Sequence, residues 1–202
     1  MNDAPHMRCG FVAVLGAPNA GKSTLINELV GAKVSIVTHK VQTTRIRIMG
    51  IATKDESQIV FIDTPGIFEP RRRLDRAMVD AAWRGASDAD RIMLVVDAKR
   101  GMDRDTARIV EGLKESKRTA ALVLNKIDLV KREDLLALAA EFNAAEIFDE
   151  TFMISALKGD GVADILSRLA GLLPEGPWMF PEDQLSDLPQ RLTAAEVTRE
   201  YL

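Results

Sequence analysis

One stretch limits the fold more than any other: CGFVAVLGAPNAGKSTLINELVG, residues 9–31. It begins as a short apolar run closed by glycine, which is the pattern of a buried strand. It ends with Leu25, Ile26, Leu29 and Val30 at helical spacing, and Gly31 stops that helix. Between them Gly16-Ala17-Pro18-Asn19-Ala20-Gly21-Lys22-Ser23 fits G-x-x-x-x-G-K-[ST], in the strand–loop–helix setting this pattern needs. The glycines let the backbone wrap a phosphate without Cβ clashes. The amides then form an anion nest at a helix N-terminus. Lys22 brings a positive charge to the terminal phosphates, and the Ser23 hydroxyl suits Mg²⁺. Residues 16–24, Thr24 included, are therefore expected to hold a nucleotide.

The rest of the chain repeats the strand–helix alternation. Strands are predicted at 44–51, 58–63, 91–98, 120–126 and 150–156, and helices at 21–30, 74–86, 102–117, 133–144 and 161–174. With the first strand this makes an α/β domain: a mostly parallel six-stranded sheet with helices on both faces. No internal repeat is visible. The pattern breaks after Pro174. Residues 175–192 are rich in proline and acids, which is linker chemistry, and 193–202 read as the first helix of a further domain that the sequence cuts short.

Composition sets outer bounds. A hydrophobic content of 47% allows a real core, and a net charge of −3 argues against the whole piece being a strong nucleic-acid binder. The lone Cys9 excludes an internal disulfide and reads as a small buried residue of a reducing compartment. MNDAPHMRCG lacks the apolar run of a signal peptide, and no stretch is long and apolar enough to span a bilayer. The expected location is the cytoplasm, with peripheral association at the inner face of the cell membrane as a further expectation.

Three later motifs bear on the nucleotide. Asp63-Thr64-Pro65-Gly66 follows the apolar strand 58–62; the carboxylate can serve Mg²⁺ and the Gly66 amide a γ-phosphate. Asn125-Lys126-Ile127-Asp128 ends another buried strand. A carboxylate such as Asp128 accepts from guanine's N1–H and exocyclic amine together, a donor pair adenine lacks, and the Lys126 stem can cover the base. Taken alone this is equally an ordinary Asn/Asp turn. Ser155-Ala156-Leu157, followed by Lys158, can offer amides to guanine O6. Arg71, Arg72, Arg73 and Arg76 read as a solvated face, His6 and His39 as surface residues, and Trp83 and Trp178 as packing residues.

With these motifs in order, residues 9–174 resemble the G-domain GTPases, a P-loop NTPase fold. The resemblance implies GTP and GDP as ligands, Mg²⁺ held by Ser23, Asp63 and a switch threonine, and catalytic roles for Lys22, Asn19, Thr44 and Gly66. In Gln42-Thr43-Thr44-Arg45 it favours Thr44 over Thr43. Many G proteins carry a water-orienting glutamine after D-x-x-G; here the residue is Ile67. The loop resembles the TrmE–Era subgroup, where an asparagine at the position of Asn19 helps hold K⁺ against the phosphates. The alternative is that Asn19 only tolerates a left-handed turn.

KVQTTRIRIMGI (40–51) and the stretch 174–202 both resemble the Era family. That resemblance implies domains at 1–174 (G domain), 175–192 (linker) and 193–202 (start of a KH-type RNA-binding domain). It implies a slow, K⁺-stimulated GTPase that switches segments 35–45 and 66–80, works in 30S subunit assembly, and meets small-subunit rRNA through the absent domain. The G domain itself is expected to be monomeric. Open alternatives are tRNA modification, large-subunit assembly, a scaffold with negligible turnover, and, more distantly, an ATPase.

Overall fold

The computed structural model describes residues 7–35, 48–70 and 73–186. Among the described residues six strands and five α-helices follow one another, alternating except where β2 runs directly into β3: β1 Arg8–Leu15, α1 Lys22–Val30, β2 Ile48–Lys54, β3 Ser57–Asp63, α2 Arg73–Asp88, β4 Arg91–Asp97, α3 Arg104–Glu115, β5 Ala120–Asn125, α4 Arg132–Asn143, β6 Phe148–Ile154 and α5 Val162–Leu172. The sheet order is β2-β3-β1-β4-β5-β6, with only β2 antiparallel to its neighbour. The expected α/β sheet with helices on both faces is what forms.

The central strands read as unbroken apolar runs because both of their faces are covered. One core layer joins Val12, Val14 and Phe61 of the sheet to Leu25 and Ile26 of α1 and Ile165 of α5. The other joins Leu15, Leu94 and Leu124 to Ala82 of α2, Ile109 of α3 and Phe142 of α4. Both layers place the C-terminal ends of β1, β3, β4 and β5 along one edge, where loops rather than side-chain packing fill the space.

Most element ends shift by one or two residues from the sequence expectation, and two of the differences have a visible backbone cause. Among the described residues β2 runs to Lys54, three residues further than expected, because Asp55 takes a left-handed turn (φ 53°) that folds β2 back against β3. α5 stops at Leu172, since Leu173 precedes Pro174 and is pushed into an extended conformation (φ −75°, ψ 153°).

The segment after Pro174 follows the sheet. The Cys9 amide donates to the Pro174 carbonyl (3.2 Å), Gly176 to Met7 (2.9 Å), and Ile51 of β2 to Leu185 (2.9 Å). Gln58 on β3 is fully buried and both ends of its amide grip this strap. Nε2 donates to the Phe180 carbonyl (2.8 Å), and Oε1 accepts from the amides of Met179 (2.9 Å) and Phe180 (3.0 Å). Trp178 Nε1 donates to the Glu56 carbonyl (3.1 Å). A proline-rich stretch cannot form regular ladders, so an internal glutamine supplies the missing partners. The remainder of the expected linker and the expected final helix lie outside the described residues, as do Thr43, Thr44, Arg71, Arg72, His6 and His39.

Candidate functional site

The loop between β1 and α1 lies at the C-terminal edge of the sheet. Asn19 at its apex is left-handed (φ 64°) and exposed, and Gly21 (φ 98°) leads into the helix. A Cβ at Gly21 would lie 2.2 Å from Asn125 Nδ2, so this position requires glycine for both backbone and space. Lys22 is 7% exposed, and its ammonium donates to the carbonyls of Gly16 and Ala17, each at 3.1 Å. Burial pulls its pKa down to about 8, while the nearby Asp63 carboxylate opposes that shift.

Ser23 Oγ donates to Asp63 Oδ2 at 2.9 Å, and the Ser35 hydroxyl donates to the same oxygen. Asn27 fixes Ser35 in place: its Oδ1 accepts from the amides of Val34 (2.9 Å) and Ser35 (2.8 Å), and its Nδ2 donates to the Ser35 carbonyl (2.8 Å). Ser23, Ser35 and Asp63 are all buried oxygen donors. Such a set fits a hard divalent cation, and Mg²⁺ held there by Ser23 and Asp63 would neutralise charge on neighbouring phosphate oxygens. Sequence reading did not single out Ser35; its place at the start of the switch segment 35–45 was its only signal.

The loop after β3 leans on the phosphate loop. The Ile67 amide donates to the Gly16 carbonyl (3.1 Å), and a Cβ at Gly66 would lie 3.0 Å from the Pro18 nitrogen. Thr64 is buried with its hydroxyl on the Val14 carbonyl (2.7 Å). That side chain ties the loop to β1, so a ligand contact from Thr64 falls to its backbone. Ile67 is fully buried with Leu15, Ile62 and Ala82. The residue after Asp63-Thr64-Pro65-Gly66 is thus a core anchor.

Asn125 joins three motifs. Its Nδ2 donates to the Ala20 carbonyl (2.9 Å), and its Oδ1 accepts from the amides of Lys126 (2.8 Å) and Ala156 (3.0 Å). The Ala156 amide therefore binds the two loops together, and Leu157 is the exposed member of the Ser155-Ala156-Leu157 turn. Asp128 meets Ser155 Oγ at 2.8 Å and Lys158 Nζ at 3.6 Å. The serine hydrogen bond, aided by Lys158, holds the Asp128 carboxyl below the usual carboxylate range. Lys126 Nζ donates to the Asn19 carbonyl (2.8 Å) and to Asp97 Oδ2 (2.7 Å). The structure thus brings together residues 16–24, 63–66, 125–128 and 155–157 from four separate loops.

A family model described as 50S ribosome-binding GTPase matches residues 11–126. GTPase Era of Sinorhizobium medicae is 65% identical over 195 residues, which is 96% of this chain and 63% of that protein. A crystal structure of Era with MgGDPNP and a fragment of 16S ribosomal RNA superimposes with a TM-score of 0.90 at 41% identity, covering 96% of this chain and 67% of the other. The chain belongs to the Era family of GTPases. A second Era structure, an Aquifex aeolicus variant bound to GDP·AlF4⁻, superimposes with a TM-score of 0.88 at 40% identity, over 96% of this chain and 66% of the other. The chain spans just under two thirds of the curated Era relatives such as the Sinorhizobium protein.

Proposed function

We propose that this chain is the guanine-nucleotide switch of an Era-type GTPase. It binds GTP and GDP with Mg²⁺, and hydrolyses GTP slowly. The observation that carries this reading is Asn125, whose one buried side chain locks the phosphate loop, the Asn125–Asp128 motif and the Ser155–Leu157 turn into a single pocket wall. Asp128, kept ionised by Ser155, is the guanine-selective acceptor. Lys22, Gly66 and the switch threonine Thr44 meet the terminal phosphate. To do so the Lys22 ammonium exchanges its loop carbonyls for phosphate oxygens, which restores the charge that burial disfavours.

With Ile67 in the core, that side chain cannot position water, and catalysis draws on a fixed cation beside the phosphates. Asn19, exposed at the loop apex with its carbonyl tethered by Lys126, is the proposed K⁺ ligand. The proposed setting is 30S subunit assembly in the cytoplasm. The rRNA contact lies in a C-terminal domain beyond the strap, and the membrane contact is peripheral. The relative crystallised with a 16S rRNA fragment supports this setting over large-subunit or tRNA-modification roles. Steady-state GTP hydrolysis in equal concentrations of KCl and NaCl tests the chemistry. Faster turnover in K⁺, lost on Asn19→Ala, is expected. Equal rates in both salts would refute the K⁺ reading, and no turnover in either, also with rRNA added, would leave a nucleotide-binding scaffold.

A further inference from the structure

The tight turn that follows β4 carries no nucleotide motif, yet it reaches the apex of the phosphate loop twice. Asp97 organises that turn: its carbonyl accepts from the amides of Arg100 (2.9 Å) and Gly101 (3.0 Å), and its Oδ1 accepts from the Lys99 amide (3.0 Å). Its Oδ2 takes a hydrogen bond from Lys126 Nζ at 2.7 Å. The same ammonium donates to the Asn19 carbonyl at 2.8 Å. From the same turn, Arg100 Nη1 donates to the neighbouring Pro18 carbonyl at 3.3 Å. Arg100 is itself paired to Asp103 (2.5 Å), which caps α3 by accepting from the Thr106 amide (2.9 Å).

We propose that Asp97 is a positioning residue for the phosphate loop, acting through Lys126 on the Asn19 carbonyl. Asn19 stands in the left-handed region, which asparagine tolerates better than other L-residues but less freely than glycine, so contacts on its carbonyl help to hold it there. Two cations on consecutive carbonyls, Pro18 and Asn19, do so. They keep those oxygens on the outer side of the loop, away from where an anion sits. A lysine side chain left to itself spreads over many rotamers. The Asp97 carboxylate, 12% exposed, selects the one rotamer from which Lys126 reaches Asn19. An ordinary surface ion pair contributes little. This one differs because its ammonium is shared with a strained backbone carbonyl, so loss of the acid propagates into the loop.

The consequence for nucleotide affinity rests on the reading of the site above, but the loop effect does not require a ligand. The test uses Asp97→Asn, Lys126→Met and the double variant of the full chain. Lys126→Met keeps the apolar stem and removes only the ammonium. Two quantities are measured: amide hydrogen exchange of residues 17–22 without nucleotide, and GDP affinity with Mg²⁺. Each single variant should raise loop exchange and weaken GDP by about tenfold, the scale of one charge-assisted hydrogen bond. The double should be no worse than Lys126→Met alone, and Asp97→Glu should recover part of the loss. Multiplying effects in the double variant would overturn the proposal. So would unchanged loop exchange in Lys126→Met, which alters a partly exposed side chain and leaves the core intact. A wild-type chain that fails to bind GDP would refute the nucleotide reading, while the exchange comparison would still decide the role of Asp97.

Discussion

Replacing Asn125 by alanine should be far more costly than its size suggests. The side chain is 2% exposed and serves the Ala20 carbonyl and the Ala156 amide, both on residues at least 98% buried. Truncation leaves one buried acceptor and one buried donor without partners, at about 1–3 kcal/mol each, so a loss of about 2–6 kcal/mol is expected. That is a large share of the ~5–15 kcal/mol that holds a typical domain together. Urea unfolding followed by circular dichroism reads this as a shift of the midpoint of about 2 M, for a slope of about 2 kcal/mol per M. Asn125→Asp separates the two contacts. Its carboxylate can still accept from Ala156 but sets an oxygen against the Ala20 carbonyl, so it should lose stability and GDP affinity too. A loss below about 1 kcal/mol for Asn125→Ala, with GDP binding kept, would refute the idea that this side chain joins the loops.

Other outcomes follow from single contacts. Asp128→Asn should weaken GDP by about a hundredfold, because an amide cannot accept from both guanine donors, and should favour xanthine nucleotides in a competition assay. Lys22 gives the ligand-free chain a pH dependence. Its folded pKa of about 8 lies below the ordinary 10.5, so the unfolded chain binds more protons between those values and stability rises with pH there. The rise should approach about 3 kcal/mol and vanish in Lys22→Met, as read by unfolding at pH 7.5 and 10. Gln58→Ala should release the strap at residues 178–180 and expose it to limited proteolysis, while Glu56 loses Trp178 and the indole fluorescence shifts to the red.

Much of this arrangement is legible in the residues. Strands covered on both faces leave continuous apolar runs, so β1, β3, β4 and β5 stand out, and the phosphate loop is visible because its chemistry fixes glycine and lysine at set spacing. What escapes are partners that any polar residue could have been. Ser35 earns its place only through Asn27, eight residues earlier. Asp97 looks like an ordinary strand-ending turn residue until Lys126 is seen beside it. The proline-rich stretch reads as a linker because prolines oppose ladders, yet an internal glutamine on β3 and backbone bonds to the sheet secure it as far as Leu185. Ile67 shows the reverse: its apolar character already excludes a water-positioning role, and its burial explains why an apolar residue is there.

The central claim is guanine selectivity at the wall built by Asn125, Asp128 and the Ser155–Leu157 turn. Equilibrium competition of GDP and ADP against fluorescent GDP, in Mg²⁺, tests it most directly. GDP should displace the probe at least about a hundredfold better than ADP, as expected where adenine offers the Asp128 carboxylate no matching donor pair. Displacement by ADP within about tenfold of GDP would contradict it, because a carboxylate worth so little selectivity cannot be reading the base.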